Sequence, residues 1–121
     1  MKTVGLLGGM SWESTTEYYK KINEGIRNGL GGLHSGKILM YSFDFEEIEV
    51  LQHKQEWDKL TELLIEKGKS LKLGGADFLA ICTNTMHKMA DEVEKGTGLK
   101  VIHIADAAAK KIIQKNKTTV G

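Results

Sequence analysis

Four times along this chain a short β-branched or apolar run gives way to a longer stretch of helical period, and pairs of glycines mark several of the changes. That alternation restricts the fold more than any other feature, because strands separated by helices of this length pair in parallel through right-handed crossovers. The expected architecture is α/β: a doubly wound parallel sheet of about four to five strands with helices on both faces. In such sheets ligands bind beyond the carboxyl ends of the strands.

The first strand covers residues 3–7 and is closed by Gly8 and Gly9. The helix after it starts at Ser14, which is spaced from Glu17 as in a capping box, or earlier, near Ser11. Tyr19, Ile22, Ile26 and Leu30 share one face of that helix, and Gly31 and Gly32 end it. Residues 37–43 read as a second strand, and Asp44, Glu46, Glu47 and Glu49 as a solvated charge run. A second helix spans residues 55–73, stopped by Gly74 and Gly75, with Trp57, Leu60, Leu64 and Leu71 as its buried stripe. Residues 77–81 make strand three and 84–95 a third helix carrying Met86, Met89, Ala90 and Val93. Residues 100–104 make strand four and 106–115 a fourth helix.

A chain of 121 residues, 40% of them hydrophobic, suits one globular domain, residues 1–121, and leaves no room for a second full one. Its 17 basic and 16 acidic side chains nearly cancel. Nothing concentrates the Lys and Arg that nucleic acid or an anionic membrane would require, so neither is an expected partner. No apolar run approaches the roughly 20 residues of a bilayer span, and residues 1–7 lack the form of a signal peptide. One cysteine cannot make an internal disulfide framework, and a cytoplasmic protein with a reduced thiol is expected.

Two strand ends carry the residues with chemistry. Gly8, Gly9, Met10, Ser11 and Trp12 follow strand one, and Cys82, Thr83, Asn84 and Thr85 follow strand three, so the fold would set both groups on one edge of the sheet. The glycines match neither the dinucleotide fingerprint nor a phosphate loop, which disfavours NAD and ATP. By themselves they read first as a tight turn. Trp12 is either a pocket wall or core.

A lone cysteine at a strand end is more often a small buried hydrophobe than a catalyst. The polar residues after Cys82 speak the other way, and a helix N-terminus just beyond it would favour the thiolate and lower its pKa. His87 could activate a thiol only by folding back, since side chains five apart do not share a helix face. It reads as a polar neighbour. His34, His53 and His103 are scattered, and with one cysteine they give no metal-ligand spacing, so no metal is expected. Gln52 and His53 read as a solvated loop or first helical turn. Residues 117–121 echo residues 2–5, either as a fifth edge strand or as the start of a second β/α unit.

The stretches Gly8-Gly9-Met10-Ser11-Trp12-Glu13-Ser14-Thr15 and Cys82-Thr83-Asn84-Thr85-Met86-His87-Lys88 resemble the two N-terminal signatures of the aspartate/glutamate racemase family, closest to its broad-specificity bacterial amino-acid racemases. The resemblance continues through Asn23-Glu24-Gly25, Gly31-Gly32-Leu33-His34-Ser35, Glu56-Trp57-Asp58-Lys59 and His103-Ile104-Ala105-Asp106. It implies one lobe of a two-lobed α/β enzyme that racemises amino acids without pyridoxal phosphate or metal, so no cofactor is expected. In that scheme two cysteines face opposite sides of the substrate Cα, one removing a proton as thiolate and the other returning one as thiol.

The resemblance further implies that Cys82 is the catalytic cysteine of the N-terminal lobe, and that Met10, Ser11, Gln52, Thr83, Asn84 and Thr85 bind the carboxylate and amino groups of a small amino-acid substrate. The family's second lobe, with its second cysteine, has no counterpart here. Residues 117–121 then read as the first strand of that lobe, and the chain as an N-terminal half expected to racemise poorly or not at all alone. A lone lobe would leave its cleft face open for self-association, so a homodimer is also an expectation. Two other activities remain open: a thiol-dependent decarboxylase or hydantoin-type racemase, and a non-catalytic carboxylate-binding lobe.

Overall fold

A computed structural model of the chain describes residues 1–82, 89–102 and 105–113, with backbone only at 105–107 and 109. The elements run β1 (Thr3–Gly8), α1 (Trp12–Leu30), β2 (Lys37–Ser42), α2 (Phe45–His53), α3 (Trp57–Leu73), β3 (Phe78–Ile81), α4 (Ala90–Thr97), β4 (Val101–Ile102) and α5 (Ala105–Ile113). The four strands form one sheet in the order β2-β1-β3-β4, and every pairing is parallel. This is the doubly wound α/β layer structure expected from the alternation.

Strand periodicity sorts the core into two layers. Val4 and Leu6 of β1 and Phe78 and Ala80 of β3 face α1 and α5, where they meet Ile22, Ile26, Ala108 and Ile112. Leu7, Leu79, Ile81 and Val101 point the other way, against Ile48 of α2, Leu60 and Leu64 of α3 and Val93 of α4. β1 and β3 are buried almost throughout, as inner strands of a parallel sheet covered on both faces must be. β2 is exposed or half-buried throughout, as an edge strand.

The local structure departs from the sequence expectations in several places. α1 begins at Trp12 with Ser11 as its N-cap, so the capping box at Ser14 does not form. The Thr15 N–H already donates to the Ser11 carbonyl at 3.1 Å, which starts helical bonding earlier. Its buried face is Thr15, Ile22 and Ile26; Tyr19 and Leu30 are 49% and 37% exposed. The acidic stretch is not a loop but the first half of α2. Asp44 caps it by accepting the Glu46 N–H at 3.2 Å, Glu46 and Glu47 sit favourably at the positive end of the helix dipole, and Ile48 anchors it in the core.

α3 begins at Trp57 rather than at residue 55, because Gln55 adopts a left-handed backbone with φ 57° that breaks the chain direction between α2 and α3. Trp57 is half-buried, whereas Leu60, Leu64 and Leu71 are buried as the periodicity predicts. α4 runs on to Thr97; the expected start of this helix at residue 84 falls outside the described residues. So do the end of strand four and the echo at 117–121. Among the described residues no helix is long and apolar enough to cross a membrane.

Candidate active site

The strand order reverses direction at β1: β2 lies on one side of it, β3 and β4 on the other. α1, which follows β1, and α4, the next described helix after β3, pack on opposite faces of the sheet, which makes the carboxyl edge between β1 and β3 the position where open α/β sheets bind ligands. Leu7 pairs with Ile81, and the Cys82 N–H donates to the Leu7 carbonyl at 3.1 Å. The turn after β1 and the residue after β3 thus meet side by side.

The turn is held from two directions. Gly9 has φ 82°, and a Cβ there would lie 2.5 Å from the Ser42 hydroxyl and collide with the Phe43 carbonyl. The Phe43 N–H donates to the Gly8 carbonyl at 2.8 Å, tying the turn to the end of β2. From α1, the Thr15 hydroxyl accepts the Gly9 N–H at 2.8 Å and donates to the Ser11 carbonyl at 3.2 Å. Ser11 makes no side-chain capping bond, so its half-buried hydroxyl is not engaged by the first N–H groups of α1. Those N–H groups lack intrahelical partners by construction and favour an anion such as a carboxylate.

Cys82 is 1% exposed and lies in the cluster between the sheet and α1 and α5. Burial pushes its thiol up to about 12. The apolar side chains around the sulfur favour its neutral form, opposite in direction to the lowering expected from a helix N-terminus just beyond it; that expected helix start, at residue 84, lies outside the described residues. Met10 takes the opposite face. Its side chain is 4% exposed and packs with Phe43, Ile48 and Met89, so only its backbone can address a ligand from that position.

Gln52 lies near the C-terminal end of α2, half-buried, on the Met10 side of the sheet. Thr83, Asn84 and Thr85, and with them His87 and His103, fall outside the described residues. The structure therefore brings together the Gly8 to Ser11 turn and Cys82. His34 and His53 are exposed, and no group of His, Cys, Asp and Glu among the described residues could hold a metal ion.

Two aromatic residues gain a role that spacing did not assign. Trp12 is 69% exposed and is a wall, not core: with Thr15, Thr16, Tyr19, Met40 and Ser42 it lines a groove of about 320 Å³ between α1 and the edge strand. Tyr18 packs against the cluster that contains Cys82. Its phenol is raised above the ordinary 10.0 by burial and, second, by the charge of the Cys82 thiolate. Spacing does not single it out, because Tyr18 and Tyr19 lie four and three residues before Ile22.

The family model for Asp/Glu/Hydantoin racemase matches residues 7–121. The broad specificity amino-acid racemase RacX of Bacillus subtilis is 25% identical over 125 residues, covering 97% of this chain and 52% of RacX. A protein from Yersinia pestis assigned as an Asp/Glu racemase has a crystal structure that is 54% identical, with a TM-score of 0.83 over 93% of this chain and 49% of that one. An aspartate racemase homologue from Pyrococcus horikoshii is 33% identical, with a TM-score of 0.77 and the same coverage. The chain spans about half the length of the relatives it matches.

Proposed function

Because the chain belongs to the Asp/Glu/hydantoin racemase family, we propose that it supplies one half of the active site of a cofactor-independent amino-acid racemase, with Cys82 exchanging the proton on one side of the substrate Cα. The observation that carries this reading is the placement of Cys82 beside the Gly8 to Ser11 turn at the switch point of the sheet. The substrate class is a small polar amino acid such as aspartate or glutamate. Its carboxylate would take the N–H groups at the start of α1, and Ser11, Gln52, Thr83, Asn84 and Thr85 would supply further contacts.

The chemistry explains why one thiol is not enough. A Cα proton is very weakly acidic, so its removal requires donors that stabilise the charge developing on the carboxylate, in a site that excludes water. Working on both mirror images requires an acid and a base on opposite faces, with pKa values near working pH. A thiol near 12 is ionised in only about one molecule in 10⁵ at neutral pH. In the isolated chain Cys82 is thus the acid of such a pair and a poor base. The positive charge of the substrate ammonium, held against the thiol by a second lobe, would lower its pKa, and a second thiol would serve the opposite side of the Cα.

The test is a fusion of this chain to the second half of the Yersinia pestis relative. The fusion is expected to racemise L-aspartate or L-glutamate, to exchange Cα hydrogen with D₂O, and to lose both on Cys82→Ser. The isolated chain is expected to racemise little or not at all. Racemisation that survives Cys82→Ser, or a folded fusion inert toward every amino acid, would overturn the assignment.

One observation favours a second reading. A single thiol held neutral by burial suits protonation of an enolate from one side, the step of a thiol-dependent decarboxylase. Turnover of an arylmalonate to one product hand would select it over racemisation. Binding of aspartate without any Cα exchange by the fusion would instead favour a carboxylate-binding lobe.

A further inference from the structure

The layer between the sheet and α1 and α5 is built from aliphatic and aromatic side chains, among them Ile22, Ile26 and Phe78. Among the described residues, the members of that cluster whose side chains can hydrogen bond or ionise are Cys82 and Tyr18, and the buried hydroxyl of Thr15 on α1 is already engaged by the Gly9 N–H and the Ser11 carbonyl. Cys82 and Tyr18 arrive from different elements. Cys82 continues the alternation of Phe78 and Ala80 on β3, and Tyr18 reaches in from α1, one turn before the fully buried Ile22. Lys111 of α5 also packs on this face, its Nζ over the Phe78 ring at 5.6 Å.

Burial alone makes a thiolate costly here, and an anion in an apolar cluster persists only with a donor aimed at it. A neutral phenol is such a donor, and hydrogen bonds to an ionised acceptor are about twice as strong as neutral ones. Once the phenol itself ionises, the two anions repel.

We propose that Tyr18 is a positioning residue for Cys82, its hydroxyl accepting the S–H of the thiol and donating to the sulfur when the proton leaves. One hydrogen bond then serves both protonation states and fixes the direction in which the sulfur presents its proton. The contact itself is independent of the activity; its catalytic meaning rests on the racemase reading given above.

The test uses the 121-residue chain without substrate. One cysteine gives one S–H stretching band, and Tyr18→Phe keeps the ring while removing the oxygen. The band is expected to move to higher frequency in Tyr18→Phe and to stay in place in Ile22→Val and Lys111→Met, which alter packing or charge but not the contact. Should Tyr18→Phe fail to fold, 3-fluorotyrosine incorporated at every tyrosine weakens the phenol oxygen as an acceptor with little change in shape, and a smaller shift of the same sign is expected. An unmoved band in Tyr18→Phe, or in the fluorinated chain if that variant does not fold, overturns the proposal while leaving the racemase reading intact. A fusion that fails to racemise leaves the band shift unaffected.

Discussion

The Gly9 N–H and the Thr15 hydroxyl are joined at 2.8 Å, and that bond welds the turn after β1 to the first turn of α1. Thr15 is itself buried, and the same hydroxyl donates to the Ser11 carbonyl. Three residues of the candidate site, Gly9, Met10 and Ser11, are thereby spanned by one side chain. The position of the site's anion-facing backbone depends on it.

Thr15→Val retains the shape of the side chain and removes its oxygen. A buried N–H left without its acceptor costs about 1–3 kcal/mol, and that loss is expected in urea unfolding with an unchanged m-value. Thr15→Ser keeps the oxygen and is expected to lose less. A Thr15→Val protein within about 0.5 kcal/mol of the parent would show that the hydroxyl does not hold the turn.

Gly9 and Gly31 offer a matched comparison, since their φ values are 82° and 72° but only Gly9 is crowded. Alanine at either position pays a left-handed backbone penalty of about 1–3 kcal/mol. At Gly9 the added methyl also meets the Ser42 hydroxyl and the Phe43 backbone, whereas at Gly31 nothing lies within 4 Å. Gly9→Ala is expected to lower the thermal midpoint clearly more than Gly31→Ala. Equal shifts would mean that the turn can move away from β2 at no cost.

Asp44→Ala removes the side-chain acceptor at the N-terminus of α2. The expected cost is about 1 kcal/mol, read as a lower urea midpoint. Asp44→Asn, which keeps an acceptor, should recover most of it. No difference between the two variants would assign the effect to the aspartate charge near the helix dipole and not to the cap.

The contrast between α2 and α3 marks how far the sequence carries. α3 was legible because Leu60, Leu64 and Leu71 repeat at helical spacing and Gly74 and Gly75 follow; α2 was not, because its one fully buried residue, Ile48, stands among glutamates that look solvated and indeed are. The candidate site divides in the same way. Cys82 was identifiable from its place at the end of an apolar run. The direction of its pKa was not, since that depends on what α1 and α5 lay over it from far along the chain. Tyr18 and Tyr19 lie on either side of the Thr15, Ile22 and Ile26 stripe, and spacing cannot choose between them. The sheet does: Tyr19 falls over the edge strand beside Met40, and Tyr18 packs toward the cluster that holds Cys82.

The burial of Cys82 also fixes a pH dependence whose sign can be worked out. Below about 8.5 an unfolded-chain thiol keeps its proton, the native thiol does too, and the stability is fully present. Above that the unfolded chain gives up the proton while native Cys82 retains it until about 12. The unfolded state then binds fewer protons than the native state, so the stability falls as pH rises, by at most about 1.4 kcal/mol per pH unit from this group. Other groups titrate in the same window, and Cys82→Ala isolates the thiol. Urea unfolding at about pH 8, 9 and 10 is expected to give a steeper loss for the parent chain than for Cys82→Ala, the gap opening only above the unfolded thiol's pKa. Identical slopes would mean that the native thiol ionises as easily as an exposed one, and the neutral, proton-donating role argued for Cys82 would fall with that result.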